Sequence, residues 1–323
     1  MNHILKTIFK SGKFTFGFSI ITLVLLFIII YPIFDNRDPL AMIGLKFERP
    51  NLREYLDRNN EKVIEEREPT PEEIAIAELM AQFGLTAVTM EIEGPMQLHL
   101  LGTDNFGRDM MCQLVAGTKS SLYIGLIAGS VATLIGLIVG LLAGYLGGSF
   151  DNFLSSLTNV FIVIPSFVIL ILISVSISNT NIFSIGIIIG LTSWPWTARS
   201  VRAQTTSLRN RDHVNLSKLS GHSMPRIILR DILPYIASYV VMAFILQVAS
   251  GILAEATISM LGLGPRNLAT LGLMMHWAGN FNALFTGAWW AFLPMVVMIT
   301  LITFSLNLMN SGLDQIFNPQ IRS

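Results

Sequence analysis

Glu255 is an ionisable residue inside a long apolar stretch, where it stands in the sequence Ala254-Glu255-Ala256-Thr257. A charge at membrane depth is costly and normally faces a partner or a water-filled path. Because Glu255 lies near one end of its stretch, an interfacial or helix-capping position is an equally good interpretation. We therefore carry forward the hypothesis that Glu255 borders a polar path through the membrane.

Enzymatic and metal chemistry find little support. The histidines are His3, His99, His213, His222 and His276. All of them fall in predicted loops or near predicted membrane interfaces, whereas an intramembrane hydrolase needs a nucleophile and a base at membrane depth. No Gly-x-Ser-x-Gly sequence is present, and no Cys/His spacing resembles a metal site. The single cysteine, Cys112, excludes an internal disulfide.

A nine-residue run from Leu101 to Asp109 reads Leu-Gly-Thr-Asp-Asn-Phe-Gly-Arg-Asp and precedes an apolar stretch. Its two glycines predict tight turns, and Thr103 or Asp104 could cap a short helix. Arg108 and Asp109 could pair locally, although an exposed pair contributes little to stability. On physical grounds alone the run predicts a turn and no chemistry.

The composition places these residues in a membrane protein. Of the 323 residues 52% are hydrophobic and only 13% are charged, and the mean hydropathy is +0.60. Soluble domains have about a quarter of their residues charged. The formal net charge is zero, so no overall field attracts nucleic acid.

Six stretches are long enough to span a membrane, since a spanning helix needs roughly twenty apolar residues. They are Phe14–Phe34 and residues 121–145, 153–178, 182–198, 235–260 and 288–310. The first is expected to be a retained span because it ends in Tyr31-Pro32 and not in the small residues of a cleavage site. Pro165 should kink the third span, and Trp194-Pro195-Trp196 should interrupt the fourth.

Basic residues predict the orientation, because cytoplasmic loops are rich in Lys and Arg. Three lysines precede the first span, and seven basic residues stand between Arg199 and Pro234 against two aspartates. Residues 35–112 instead hold sixteen acidic and eight basic residues. We expect both termini in the cytoplasm, an extracytoplasmic acidic segment at 35–112, and a core of the remaining spans at 113–323 with a cytoplasmic loop at 199–234.

Residues 35–97 form an insertion too polar for lipid. Thr70 followed by Pro71 predicts a helix start, and apolar residues continue to Gly84. The insertion is either a small cap over the external mouth or a docking surface for an external partner, and both interpretations stay open.

The second span carries glycines at four-residue spacing, which lets a neighbouring helix approach closely. They are Gly125, Gly129, Gly136, Gly140 and Gly144. Packing within one subunit is favoured over an interface between subunits.

The basic loop contains two expected amphipathic helices hinged at Gly221. Val214, Leu216 and Leu219 mark the first helix, and residues 224–233 form the second. Such a basic stretch beside a membrane could simply lie on anionic lipid.

This loop resembles the cytoplasmic coupling loop of ABC-importer permeases, whose pattern is Glu-Ala-Ala, three residues, Gly, nine residues, then Ile-x-Leu-Pro. Asn215-Leu216-Ser217 stands at the Glu-Ala-Ala position, Gly221 matches the glycine, and Leu233-Pro234 matches the end. None of the Glu-Ala-Ala residues is kept.

Further motifs resemble the dipeptide/oligopeptide/nickel branch of that family. They are Gly102, Thr103, Asp104, Gly107, Arg108 and Asp109 of the nine-residue run; Leu142-Ala-Gly-Tyr-Leu-Gly-Gly148 with Asp151; Leu253-Ala-Glu-Ala-x-x-Ser-x-Leu-Gly-Leu-Gly264; and Asn307-Leu-x-x-x-Gly-Leu-Asp314 with Asn318-Pro319. Together they cover about residues 98–319 in family order, whereas the insertion at 35–97 is longer than the family pattern suggests.

The resemblance implies an all-α membrane protein with the six-helix type I ABC-importer permease fold, in a prokaryotic cell membrane. Its expected partners are a second homologous permease, cytoplasmic ATPase subunits that bind ATP and Mg, and an extracytoplasmic binding protein. The lack of a Gly-x-x-x-x-Gly-Lys-[Ser/Thr] phosphate loop agrees with ATP chemistry elsewhere. Peptides are the leading cargo, with nickel or oligosaccharides as alternatives, and a membrane receptor or scaffold is the alternative function.

Overall fold

A computed structural model describes residues 8–52, 98–176, 181–265 and 268–317, and the regular elements in these ranges are helices. We number them α1 (Gly12–Phe34), α2 (Met110–Leu146), α3 (Gly148–Val163), α4 (Ser166–Ser176), α5 (Ile182–Arg209), α6 (Asp212–Leu219), α7 (Met224–Ile227), α8 (Leu233–Met260), α9 (Leu271–Asn280) and α10 (Leu293–Phe317). A π-helical turn (Ile228–Ile232) joins α7 to α8, and a 3₁₀ turn (Trp289–Ala291) precedes α10. The helix expected from Thr70 to Gly84 lies outside the described residues.

Four helical units are long and apolar enough to cross a membrane: α1, α2, the continuous unit Met224–Met260 and the unit Trp289–Phe317. The bent pair α3–α4 raises the number to as many as five. α5 does not reach the same hydropathy, because its apolar part is short and ends at Arg199. The chain is thus a multi-pass membrane protein, with four or five candidate spans where six stretches were expected.

Pro165 breaks the third expected span into two helices. α3 ends at Val163, Ile164 is extended with φ −77° and ψ 123°, and α4 begins at Ser166 at an angle of 80°. Proline lacks the backbone donor and disfavours helical geometry in the residue before it. The predicted kink is confirmed, but the stretch 153–178 is an elbow of two helices and not one bent helix.

The prediction of an interruption at Trp194-Pro195-Trp196 is wrong, since α5 runs unbroken for 28 residues from Ile182 to Arg209. Gln247 of α8 donates hydrogen bonds to the Ser193 carbonyl oxygen (3.0 Å) and the Thr197 hydroxyl (2.8 Å), on either side of the proline. Because α5 extends through Arg209, the basic segment expected as a loop at 199–234 is helical over its first eleven residues.

The glycines of α2 lie in seams against two neighbouring helices of the same chain. A Cβ atom built on Gly140 would lie 2.7 Å from the Ala198 carbonyl oxygen of α5, and one on Gly129 would lie 2.6 Å from a Val248 side-chain carbon of α8. Both distances are shorter than a real carbon contact allows. The expected packing within one subunit is confirmed.

The basic segment ends in a helix–turn–helix arrangement around Gly221. α6 ends at Leu219, and Gly221 has a φ of +72°. The second helix is not a separate short element as expected, because α7 continues through the π turn into α8. The His213 ring of α6 stacks on Tyr235 of α8 with 4.7 Å between ring centroids, so α6 is packed onto this unit.

Candidate functional site

The elbow α3–α4, together with α5, α8 and α10, surrounds a cleft of about 530 Å³ at the depth of the apolar helices. Its polar lining comes from Ser166, Thr192, Ser193, Gln247, Ser250 and Asn307. Among the lining residues that the structure describes there is no ionisable side chain. The cleft can therefore offer neutral hydrogen-bonding groups to a molecule that passes through it.

Gln247 is the most firmly positioned polar residue of the cleft. Its side-chain nitrogen donates hydrogen bonds to the Ser193 carbonyl oxygen and the Thr197 hydroxyl, and the residue is 5% exposed. In the described part of the chain its side-chain oxygen has no donor, so that oxygen is available as an acceptor inside the cleft. A glutamine amide offers one acceptor and two donors. No signal in the sequence distinguished Gln247 from the other polar residues of the spans.

Aromatic rings form another part of the cleft wall. Phe161 of α3 packs against Trp194 of α5 with 5.4 Å between ring centroids, while Trp196 is 49% exposed and lines the cleft. Such rings present large apolar surfaces with few rotatable bonds. The cleft thus combines flat apolar surface with a few neutral polar groups, which is typical of sites for small ligands.

A smaller cavity of about 270 Å³ lies between α2, α3 and the C-terminal half of α5, and two arginines line it. Arg202 forms a bidentate pair with Asp151, at 2.5 Å and 2.7 Å. Arg199 donates to the Asn159 side chain at 2.8 Å. These contacts fasten α3 to α5 at this end of the cleft.

Glu255 is completely buried and lies outside the lining of the cleft. Its carboxylate accepts hydrogen bonds from Ser259 (2.6 Å) and from Ser121 of α2 (2.8 Å), and the Ser121 hydroxyl in turn accepts from the Leu271 backbone at the start of α9 (3.2 Å). Glu255 therefore ties α8 to α2 and α9. The carboxyl group thus does not reach solvent in this chain, while a position bordering the translocation path stays a prediction.

Asp104 is the centre of the nine-residue run from Leu101 to Asp109. Its carboxylate accepts from the backbone of Phe106 (2.8 Å), from Nε of Arg108 (2.6 Å) and from the side chain of Gln113 (2.9 Å). The Arg108 guanidinium lies 3.9 Å from the Trp277 ring centroid. Both ionic residues are buried, so the expected local pair of Arg108 with Asp109 is wrong: Arg108 pairs with Asp104.

Asp109, and not Thr103 or Asp104, caps the helix that follows. Its side chain accepts from the backbone nitrogens of Met111 (2.8 Å) and Cys112 (3.0 Å) at the start of α2. The same carboxylate lies 2.8 Å from Nδ1 of His99. The Thr103 hydroxyl instead accepts from the Glu48 backbone (2.8 Å), so it holds residues of the preceding segment in place.

The two glycines of the run hold the segment before it. Gly102 and Gly107 have φ angles of +69° and +74°, a region that other residues rarely adopt. The Gly107 carbonyl oxygen accepts from the backbone nitrogens of Ile43 and Gly44, each at 2.9 Å. Nearby, the Arg37 guanidinium holds the pKa of the Asp35 carboxyl below its ordinary value by hydrogen bonding. The run therefore works as a structural anchor for residues 35–52.

The anchor also predicts a difference between two adjacent tryptophans. The Trp290 indole nitrogen donates to the Thr103 carbonyl oxygen at 3.2 Å, whereas Trp289 is 53% exposed. Trp290→Phe removes one buried hydrogen bond and should destabilise the protein by about 1 kcal/mol. Thermal unfolding of the purified protein should show a lower Tm for Trp290→Phe and an unchanged Tm for the control Trp289→Phe. Equal Tm values for the two variants would argue against the anchor.

The residues expected to couple the chain to an ATPase form a small exposed surface. Val214 of α6 is fully buried, while Leu216 and Leu219 are 66% and 86% exposed. Asn215 and Ser217 lie between them on the same helix, and Leu233-Pro234 form the first turn of α8. A Cβ atom on Gly221 would have no heavy atom within 4 Å. The surface that α6 presents therefore consists of exposed leucines beside an open turn.

Comparison with known proteins gives one family. The family described as binding-protein-dependent transport system inner membrane component matches residues 136–323. A putative peptide transport system permease protein of Brucella suis is 34% identical over 240 residues, which cover 73% of this chain and 79% of that protein. The oligopeptide transport system permease protein OppC of Lactococcus lactis is 33% identical over 219 residues, which cover 68% and 74% of the two chains. OppC of Mycobacterium tuberculosis is 32% identical over 235 residues, which cover 72% and 79%.

Proposed function

Because the chain belongs to the family of binding-protein-dependent transport system inner membrane components, and is thus a permease subunit of an ABC importer, we propose that it carries peptides across the cell membrane. The relatives named above as peptide or oligopeptide permeases support this cargo. Half of the translocation path is the cleft between α3–α4, α5, α8 and α10. A second permease covers its open side.

The neutral lining of the cleft is the observation that supports peptides as the cargo. A peptide presents backbone donors and acceptors at every residue and side chains that vary in size and charge. Gln247 and Ser250 offer hydrogen bonds to the backbone, while Trp196 and Phe161 offer apolar surface to varied side chains. A path that holds its cargo through neutral groups allows sequences of either charge to pass, because a fixed charge would attract one sign and repel the other.

The topology that we propose has both termini in the cytoplasm. The elbow α3–α4 and α5 then complete six spans together with the four long units, and the basic stretch from Arg199 to Arg230 lies on the cytoplasmic side. α6 sits in a groove on an ATPase subunit, which binds ATP and Mg. The segment 35–112 faces outward, where an extracytoplasmic binding protein delivers the cargo.

Reconstitution with the partner subunits tests the function directly. We expect the tagged subunit to co-purify with a second permease and with ATPase subunits, and the complex in proteoliposomes to take up labelled peptides when ATP and the binding protein are supplied. Nickel ions and labelled oligosaccharides serve as competing cargoes in the same assay. Uptake of one of these without uptake of peptides would overturn the cargo assignment. Purification without any ATPase subunit would instead favour the receptor or scaffold alternative.

Glu255 lies outside the cleft lining, so we place it beside the path, where it holds α8 to α2 and α9, and a conservative change tests this role. Glu255→Gln replaces one of the two oxygens that face Ser121 and Ser259 with an amide NH2 group, so one of these two hydrogen bonds is lost. Leaving a buried polar group without its partner costs roughly 1–3 kcal/mol of stability, so we expect less assembled importer and a lower peptide uptake. Ser121→Ala, which removes the partner and keeps the carboxylate, is the control. Unchanged uptake rate, cargo range and assembly in Glu255→Gln would contradict the hypothesis.

A further inference from the structure

A second groove lies on the outside of the helix bundle, between α1 and α2, and has a volume of about 660 Å³. Its walls are aliphatic apart from Tyr123 and Lys119 of α2, and its floor is formed by Val248 of α8 and Leu306 of α10. The groove is separate from the peptide cleft, which α3–α4, α5, α8 and α10 surround.

Lys119 is the charged residue among those that line this groove. It lies in the third turn of α2 and is the first residue of α2 that lines the groove, so it lies toward the outer side of the groove in the proposed topology. The Lys119 side chain is exposed, and no acidic residue in the described part of the chain pairs with it. A lysine at a membrane interface can extend its ammonium group toward the lipid headgroups while its carbon chain stays among apolar residues.

The length of the groove matches one leaflet of a bilayer. On α1 its lining extends from Ile21 to Pro32, and on α2 from Lys119 to Leu126. Eleven helical steps from Ile21 to Pro32 rise about 16 Å. Half of the hydrocarbon core, which one acyl chain crosses, is about 15 Å. Along α1 the groove is thus as long as an acyl chain, whereas its α2 wall measures about 10 Å and begins with the positive charge of Lys119 on the side where a headgroup lies.

We propose that this groove binds one phospholipid of the outer leaflet, with an acyl chain between α1 and α2 and the headgroup phosphate on the Lys119 ammonium group. Attraction between the ammonium and an anionic lipid favours phosphatidylglycerol over a zwitterionic phospholipid, because the second charge of a zwitterion opposes the contact. The position of the headgroup rests on the proposed topology, whereas binding of the chain rests on the groove itself.

A helix of a neighbouring subunit is a poorer occupant. A helix that filled the groove would cover Lys119 and bury its ammonium group, which is costly unless that helix brings an acidic side chain to the same place. An extended acyl chain is much thinner than a helix and follows the groove along its whole length.

The bound lipid can be counted by native mass spectrometry of the assembled importer released from nanodiscs that contain phosphatidylglycerol and phosphatidylcholine. We expect the wild-type complex to retain phosphatidylglycerol in preference to phosphatidylcholine. Lys119→Gln should retain it severalfold less, and Lys119→Arg should restore retention because the charge is kept. Lys46→Gln removes a lysine from the outer segment and serves as the control.

A second variant tests the groove without changing its charge. Leu126→Trp fills the deep end, and a phospholipid with a photoreactive acyl chain should then label α1 and α2 much less than it labels the wild type. Equal lipid retention in Lys119→Gln and the wild type, together with equal labelling of Leu126→Trp, would overturn the proposal. Crosslinks from the groove to a helix of the second permease would also overturn it. Peptide uptake, measured in parallel, distinguishes failure of this inference from failure of the proposed function.

Discussion

Replacing Gly140 with leucine should leave little or no folded subunit in the membrane. Gly140 lies where α2 meets α5, and a Cβ atom at this position would be 2.7 Å from both the Ala198 carbonyl oxygen and the Val201 Cβ. Neither backbone oxygen nor a branched side chain can move aside without separating the two helices. Overpacking normally costs about 1–3 kcal/mol, and we expect a value at or above the upper limit because four carbons meet the backbone of the neighbouring helix.

The yield of folded subunit after detergent extraction, measured by size-exclusion chromatography, checks this prediction. Gly279→Leu is the matched control, since a Cβ atom on Gly279 of α9 would have no heavy atom within 4 Å. We expect a nearly normal yield for the control. A normal yield for Gly140→Leu would mean that α2 and α5 are not in contact here.

Replacing Leu219 with aspartate should abolish ATP-driven transport and leave the subunit folded. The residue is 86% exposed within this chain, and substitutions at exposed positions usually change stability by less than about 0.5 kcal/mol. In the proposed complex the same side chain is buried in the ATPase groove. Loss of a buried leucine costs about 1.5–3 kcal/mol, and burial of an unpaired carboxylate costs more. The affinity for the ATPase should therefore fall about tenfold to a hundredfold.

Co-purification of the ATPase subunits, followed by ATP hydrolysis and peptide uptake in proteoliposomes, measures this effect. Gln204→Asp adds the same charge to another exposed position, on α5, and should assemble normally. Gly221→Leu tests the turn itself. At a φ of +72° a residue with a side chain is less stable than glycine by about 1–2 kcal/mol, although the Cβ atom itself has room. Normal ATPase binding and uptake in Leu219→Asp would count against α6 as the coupling helix.

The membrane-spanning units followed from the sequence because long apolar runs have few other uses. The first expected span, Phe14–Phe34, differs from α1 by two residues at its start. The glycine spacing of α2 predicted close packing, since a residue without a side chain leaves room for a neighbouring backbone. Pro165 predicted a break for the same kind of reason: a missing donor and a steric restriction are local properties.

Errors arose where the outcome depended on residues distant in the sequence. Pro195 was expected to interrupt α5, but Gln247, 52 residues further along, bonds to both sides of it. Arg199 was expected to begin a loop, although arginine is a good helix former and can extend beyond the apolar part of a span. Thr103 or Asp104 was expected to cap a short helix, whereas Asp109 caps α2, because the cap depends on how the turn from Asp104 to Asp109 folds and spacing does not determine that.

The candidate site was accessible to sequence reasoning only in part. The motif around Gly221 was found because its pattern is local, and its exposed leucines are consistent with a surface that another protein covers. The cleft was missed, because its polar residues come from α4, α5, α8 and α10 and none of them is unusual in its own stretch of sequence. Glu255 attracted attention through its charge, yet its partners Ser121 and Ser259 became identifiable only from the packing of α2 and α8.

The continuity of α5 has a mechanical consequence. The helix lines the cleft at Thr192 and ends three residues before α6. It contacts α2 on both sides of Thr192, from Gly190 against Val131 to Thr205 against Gly144. Because this contact is long and close, α2 and α5 can move only as one body. A displacement of α6 would then carry the cleft wall at Thr192 with it in the same direction.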